Sequence, residues 1–156
     1  MSSSKTAMSI PTAKRKVNGD MNKEISCGAV LYRRTDEGIR YLIVIDRNDN
    51  YGFPKGHQER GESFIETAQR EIKEEVGLDV KITEDFICSY DYPIKEGTVL
   101  KEVHYYVAEI DNEEPYTNDG EIKEIMFKGY EEALELLNFE QSKELLRKVE
   151  KYLNNR

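Results

Sequence analysis

Residues 56–78 read GHQERGESFIETAQREIKEEVGL, and the remainder of the chain is organised around this stretch. Ser63 followed by Glu66 forms a capping box, the serine hydroxyl accepting one backbone N–H and the glutamate accepting the other. A helix is therefore predicted to start at Ser63. Gly77 is placed to end it as a left-handed residue past the last turn. Between them Ile65, Ala68, Ile72 and Val76 share one apolar stripe, which must face a sheet. Glu71, Glu74 and Glu75 crowd a neighbouring face at i, i+3, i+4 spacing. Arg70 and Lys73 fall elsewhere on the helical wheel, leaving like charges that repel by ~0.2–0.5 kcal/mol a pair. Acidic residues at this spacing ordinarily form a solvated helix surface. Beside a buried stripe, a hard divalent cation would turn the repulsion into binding, and an all-carboxylate set suits Mg²⁺, with Mn²⁺ as substitute, better than zinc. The preceding turn, Pro54-Lys55-Gly56-His57, approaches the helix closely at Gly56 and brings Lys55 and His57 near the carboxylates, within reach of phosphate oxygens.

Working outward, the chain alternates short strands and turns. Glu24–Arg34 alternates Ile25, Cys27, Ala29 and Leu31 with Ser26, Gly28 and Val30, and a turn follows at Asp36-Glu37-Gly38. Arg40–Asp46 is more continuously apolar and is predicted to be a central strand. Asn48-Asp49-Asn50 is a turn, and Tyr51–Pro54 an extended piece. Val80–Tyr92 and Val99–Ile110 are read as two strands joined by a loop at Pro93–Gly97. Asp111–Gly120 is a polar loop, Glu121–Lys128 a last strand, and Tyr130–Leu137 and Phe139–Leu153 two helices.

The chain has 156 residues, 38% of them hydrophobic, which is one soluble domain with a core of its own. Residues 1–22 are Ser/Thr-rich, carry only the short basic run Lys14-Arg15-Lys16, and are expected to be a disordered extension or leader, with Met21 a possible natural start. Residues 23–156 are the expected domain. No segment has the length and apolarity of a membrane span, and no signal segment opens the chain. Cys27 and Cys88 sit in apolar strand-like runs and read as reduced, buried thiols, so the cytoplasm is the expected compartment. A net charge of −8 argues against an extended nucleic acid as partner, yet leaves room for a metal-bridged phosphate.

Gly56, five residues, Glu62, seven residues and then Arg70-Glu71-Ile72-Lys73-Glu74-Glu75-Val76-Gly77-Leu78 resembles the Nudix box at every fixed position. The resemblance implies an α/β fold, an α/β/α sandwich around a mixed β-sheet. It also implies an enzyme that hydrolyses nucleoside diphosphates linked to another group, using carboxylate-bound Mg²⁺. Carried onto this chain, it makes Glu71 and Glu75 the principal metal ligands and Glu74 a further ligand or the base. Arg70 would orient a glutamate, the Gly56 carbonyl would touch the metal, and Glu121, with Glu124 as competitor, would be an extra ligand or base. Beyond the box the chain is similar to asymmetrical diadenosine tetraphosphate hydrolases in Cys27-Gly28-Ala29-Val30, Gly52–His57 and Lys101–Tyr106. By that likeness Lys55, His57 and Lys101 contact a polyphosphate while Tyr92 and Phe139 stack on a base. Taken singly, Tyr92 also reads as an exposed strand residue and Lys101 as an edge-strand lysine. Tyr51 stands where these enzymes often carry tryptophan, and the chain has no Trp. Two other Nudix activities share a similar turn, removal of pyrophosphate from RNA 5′ ends and cleavage of inositol polyphosphates; His57 and the acidic surface favour the dinucleotide. A non-catalytic nucleotide-binding regulator is disfavoured by the complete set of box glutamates.

Overall fold

The structure, a computed structural model, describes residues 22–156. The expected leader at 1–22 thus lies outside the described residues, apart from Asn22. The strands are β1 (Asn22–Thr35), β2 (Gly38–Asp46), β3 (Tyr51–Gly52), β4 (Lys55–His57), β5 (Cys88–Ile94), β6 (Val99–Glu109) and β7 (Ile122–Lys128). The helices are α1 (Phe64–Val76), α2 (Tyr130–Leu136) and α3 (Glu140–Asn154).

Among the described residues these strands form one mixed sheet, ordered β3-β2-β1-β6-β5, with β4 also on β1 and β7 also on β2. β1 and β6 run parallel from Asn22↔Val99 to Tyr32↔Glu109, the widest pairing in the sheet. β1 and β2 pair only near their hairpin, Tyr32↔Tyr41 to Thr35↔Gly38, and then diverge. Two short strands fill the fork: β3 on β2 at Val44 and Ile45, and β4 on β1 at Ser26–Gly28. That crossing carries Lys55, Gly56 and His57 over to the end of β1 that faces α1.

Successive strand residues point to opposite faces, so each strand feeds two cores. Cys27, Ala29, Leu31, Val44, Tyr106 and Ala108 pack against Ala68, Ile72 and Val76 of α1. Val30, Tyr32, Ile43, Phe53, Val103 and Tyr105 pack on the other face against Ala133, Leu145, Leu146 and Val149 of α2 and α3. The result is the expected α/β/α sandwich. Burial of each large side chain contributes about 1.5–3 kcal/mol.

α1 begins and ends as its sequence dictates. Ser63 Oγ accepts the Glu66 N–H at 3.1 Å, and Glu66 Oε1 accepts the Ser63 N–H at 2.8 Å. Gly77, at φ 74°, closes the helix with its N–H on the Lys73 carbonyl. Its apolar stripe is as expected at Ala68, Ile72 and Val76, with Thr67 buried beside them and Ile65 only half-buried.

Three local expectations are corrected. Val80–Tyr92 is not one strand: only Cys88–Ile94 pairs with β6. The alternation at Val80 and Ile82 reflects packing on the α1 core, and the turn at Thr83–Asp85, tied by Asp85 N–H to Thr83 Oγ1 at 3.4 Å, interrupts the run. Pro93 belongs to β5 rather than to the loop; on an edge strand its missing N–H costs no ladder bond. Lys55–His57, read as a turn, is a short strand.

Candidate active site

The site gathers where β4, α1, the loop before β7 and the start of α3 meet, in a cleft of about 670 Å³. Gly56, Glu71, Glu74 and Glu75 form its floor, and Asp119 and Glu121 add carboxylates from the loop. Lys55 and His57 line one wall, and Tyr92 and Phe139 others. Lys101 and Arg70 lie behind these walls.

Gly56 is required by contact. A Cβ there would overlap the Glu71 carboxylate, so the β4 backbone and the α1 carboxylate meet only because the side chain is hydrogen. The Lys55 N–H, one residue earlier, donates to Glu75 Oε1 at 3.3 Å. β4 thus presses its backbone onto both glutamates that the box singles out.

Arg70 is where the helical-wheel reading needs correction. Its guanidinium does not point away from the carboxylates but reaches among them: Nε donates to Glu62 Oε2 at 2.6 Å, Nη1 to Glu71 Oε2 at 2.8 Å and to Glu74 Oε2 at 3.2 Å, and Nη2 to the His57 carbonyl at 2.8 Å. The physical reason is reach: a wheel projects Cα positions, whereas the long arginine side chain spans a turn and presents several donors in a fork. Glu62 also accepts from Thr67 Oγ1 at 2.8 Å and from the Glu59 N–H at 2.9 Å. The Arg70 contact, with these, holds its carboxyl down at about 2.

Glu75 has the opposite environment. Burial, then the charges of Glu71 and Asp119, push its carboxyl up to about 8. Burial likewise raises Glu71, against the pull of Arg70. Two half-buried carboxylates that resist ionisation beside each other are the donor chemistry a hard divalent cation satisfies, and in this respect the residues fit the metal the box implies. Glu74 differs, being 54% exposed and drawn onto Arg70. Among the described residues no group of three or more His, Cys, Asp or Glu is arranged to hold a metal ion. The part of the expected set that the fold brings together is Glu71, Glu75 and the Gly56 backbone.

The cationic side is compact. Lys101, buried under the wall, donates to Ser26 Oγ at 2.7 Å and lies 3.1 Å from His57 Nε2. Burial first, and then Lys55, lower its pKa. The edge-strand reading of Lys101 therefore does not hold: β6 is covered on both sides by β1 and β5. Tyr92 does not stand alone as an exposed ring either. It stacks on Tyr90 with centroids 6.2 Å apart, and Tyr90 stacks on Tyr105 at the same distance, giving a wall of three rings. Phe139, the exposed N-cap residue of α3, faces the cleft from another element. Glu121 lines the cleft; Glu124, paired opposite Ile45 on β7, does not.

Sequence reasoning passed over Asp119, Tyr90, Tyr105 and Ser26. Only Asp119, in an Asn-Asp-Gly turn ahead of a strand, carried a local signal; the others look like ordinary strand residues until the sheet is assembled.

A family model described as NUDIX domain matches residues 23–149, and the chain belongs to the Nudix family of hydrolases. It is 31% identical over 140 residues to the asymmetrical bis(5′-nucleosyl)-tetraphosphatase of Sus scrofa, spanning 82% of this chain and 94% of that protein. Its fold is similar to that in a crystal structure of a C. elegans Ap4A hydrolase binary complex, with TM-score 0.77 and 25% identity over 85% of this chain and 99% of the other. The NUDIX domain of Shewanella oneidensis NrtR, complexed with ADP ribose, superposes with TM-score 0.71 at 15% identity over 87% of this chain and 92% of the other, and shows the fold alone. The family uses divalent metal ions, in keeping with the carboxylate floor.

Proposed function

We propose that this Nudix enzyme is a Mg²⁺-dependent hydrolase of a dinucleoside polyphosphate in the cytoplasm, splitting diadenosine tetraphosphate into ATP and AMP. One observation carries the reading: a single cleft joins an acidic floor, a cationic wall and a stack of tyrosine rings. Such a groove suits a small ligand that is a base at one end and a phosphate chain in the middle. The acidic surface elsewhere disfavours a long nucleic acid as substrate. The ring wall favours a nucleotide over an inositol polyphosphate, which has no base to stack.

Glu71 and Glu75, with the Gly56 backbone, would hold Mg²⁺. When bound, the ion supplies charge neutralisation to the phosphates and acidifies water. Arg70 fixes Glu71 and the β4 backbone through its fork of donors. Lys55, His57 and Lys101 hold the phosphate chain in line, which matters because phosphoryl transfer depends chiefly on positioning and charge. Tyr92 and Phe139 take the base. Water attacks one phosphorus, the bridging P–O bond breaks, and a carboxylate of the cleft accepts the water's proton. Glu121 is assigned that role because Glu74 is engaged by Arg70.

Product analysis tests the reading. With Mg²⁺ and diadenosine tetraphosphate, ATP and AMP should appear in equal amounts. Two ADP, or faster turnover of triphosphate-ended RNA or of an inositol polyphosphate, would overturn it.

A further inference from the structure

Glu24 does not itself line the cleft but lies against His57, which does. It is placed on β1 opposite Lys101 of β6. Its Oε1 lies 3.5 Å from His57 Nε2 and 3.9 Å from Lys101 Nζ, and its Oε2 accepts from Lys95 Nζ at 3.2 Å. Its charge also contributes to raising the phenol of Tyr92, after burial. One carboxylate therefore meets a histidine and a lysine assigned to the phosphate chain and a second lysine, Lys95; of the three only His57 lines the cleft.

Lys95 is held there at a cost. It opens the β5–β6 turn at φ 52°, with Glu96 at 59° and Gly97 at 84° behind it. A non-glycine residue in the left-handed region crowds its Cβ against the backbone, and such strain persists where surrounding contacts over-determine it. The turn is closed by Gly97 N–H to the Ile94 carbonyl at 3.0 Å and by Thr98 Oγ1 to the Lys95 carbonyl at 2.7 Å. From this turn the largely exposed Lys95 side chain reaches Glu24. The Lys95 contact is also the largest influence lowering the Glu24 carboxyl below its ordinary range.

We propose that Glu24 and Lys95 form a specificity device for the length of the phosphate chain. Glu24 offsets the charge of Lys101 and occupies Lys95, so a substrate of ordinary length meets a rim with reduced positive charge. A longer chain brings further anionic oxygens to the rim, competes with Glu24, and takes Lys95 as an additional partner. The inference rests on the polyphosphate reading of the cleft, and it assigns Glu24 and Lys95 to substrate selection rather than to the chemical step.

The test compares kcat/KM for diadenosine tetra- and pentaphosphate in the full chain. Glu24→Gln should raise the penta-to-tetra ratio by about threefold to fivefold, the scale of one exposed charge pair, and Lys95→Ala should lower it by a similar factor. The shift should fall on KM, whereas a structural fault would lower kcat for both substrates and the urea midpoint together. Ratios unchanged in both variants overturn the inference. Inorganic tripolyphosphate, titrated calorimetrically, separates the two levels of the argument: it should bind tighter to Glu24→Gln and weaker to Lys95→Ala. If the wild type cleaves neither dinucleotide, the substrate reading fails while this binding order still upholds the rim; equal affinities in all three proteins overturn the rim.

Discussion

Replacing Arg70 by alanine removes the one group that several carboxylates of the site share. Arg70 donates to Glu62 twice, at 2.6 and 3.1 Å, to Glu71 at 2.8 Å and to the His57 carbonyl at 2.8 Å. Its contact with Glu74 is mostly exposed and adds little. Glu62 and Glu71 are 18% and 15% exposed, so losing their partner leaves charges that water only partly recovers. Breaking a buried pair from one side costs about 3–5 kcal/mol, and partial exposure here reduces that to about 2–3 kcal/mol. For a domain of this size the melting temperature should fall by roughly 6–12 °C. Arg70→Lys should recover less than half, because an ammonium serves one carboxylate at a time. The pH dependence has a definite sign. Glu62 is held at about 2 against an ordinary 4.5, so its stabilisation is complete above pH 4.5 and is lost as the pH falls toward 2. Through Glu62, the gap between wild type and Arg70→Ala should narrow as the pH falls below about 4.5. Urea unfolding followed by far-ultraviolet circular dichroism measures it. A gap under about 1 kcal/mol at pH 7, or one undiminished at pH 3, would refute the charge argument and leave only packing.

Glu75→Gln should abolish turnover yet stabilise the metal-free protein. A carboxyl raised to about 8 costs stability progressively as pH rises from 4.5 to 8, so the variant should gain about 1–3 kcal/mol at pH 8 and nothing at pH 4, read by urea melts without Mg²⁺. For the same reason Mg²⁺ affinity of the wild type, measured calorimetrically, should rise with pH across that range. Gly56→Ala should lower kcat by at least about a hundredfold by displacing the Glu71 carboxylate, with overpacking costing only about 1–3 kcal/mol of stability; wild-type kcat would contradict the contact. Tyr92→Ala should raise KM by about fivefold to tenfold while leaving most of kcat, as expected for loss of one stacked ring; an equal fall in kcat would place Tyr92 in the chemical step.

What the residue pattern alone determined was local. The Ser63–Glu66 box and Gly77 set both ends of α1, because caps are made between residues a few positions apart. The identity and spacing of Glu71 and Glu75 put two carboxylates on one side of α1, and alternation in β1 marked a strand with two buried sides. Contacts across the sheet were decided by tertiary structure. Val80 and Ile82 alternate like a strand yet cover the α1 core, since periodicity records burial and says nothing of ladder partners. Tyr90 and Tyr105 join Tyr92 only when β5 pairs with β6. Arg70 enters the carboxylate cluster through side-chain length that a helical wheel omits, and Glu24 meets Lys95, 71 residues away, only because β1 and β6 run side by side. The sequence determined which chemical groups α1 carries, because cap and carboxylate spacing are short-range properties of one helix. The folded sheet decided how strongly Glu62, Glu71 and Glu75 hold their protons and which basic groups and rings face them, because burial and Coulomb interactions depend on distance in space.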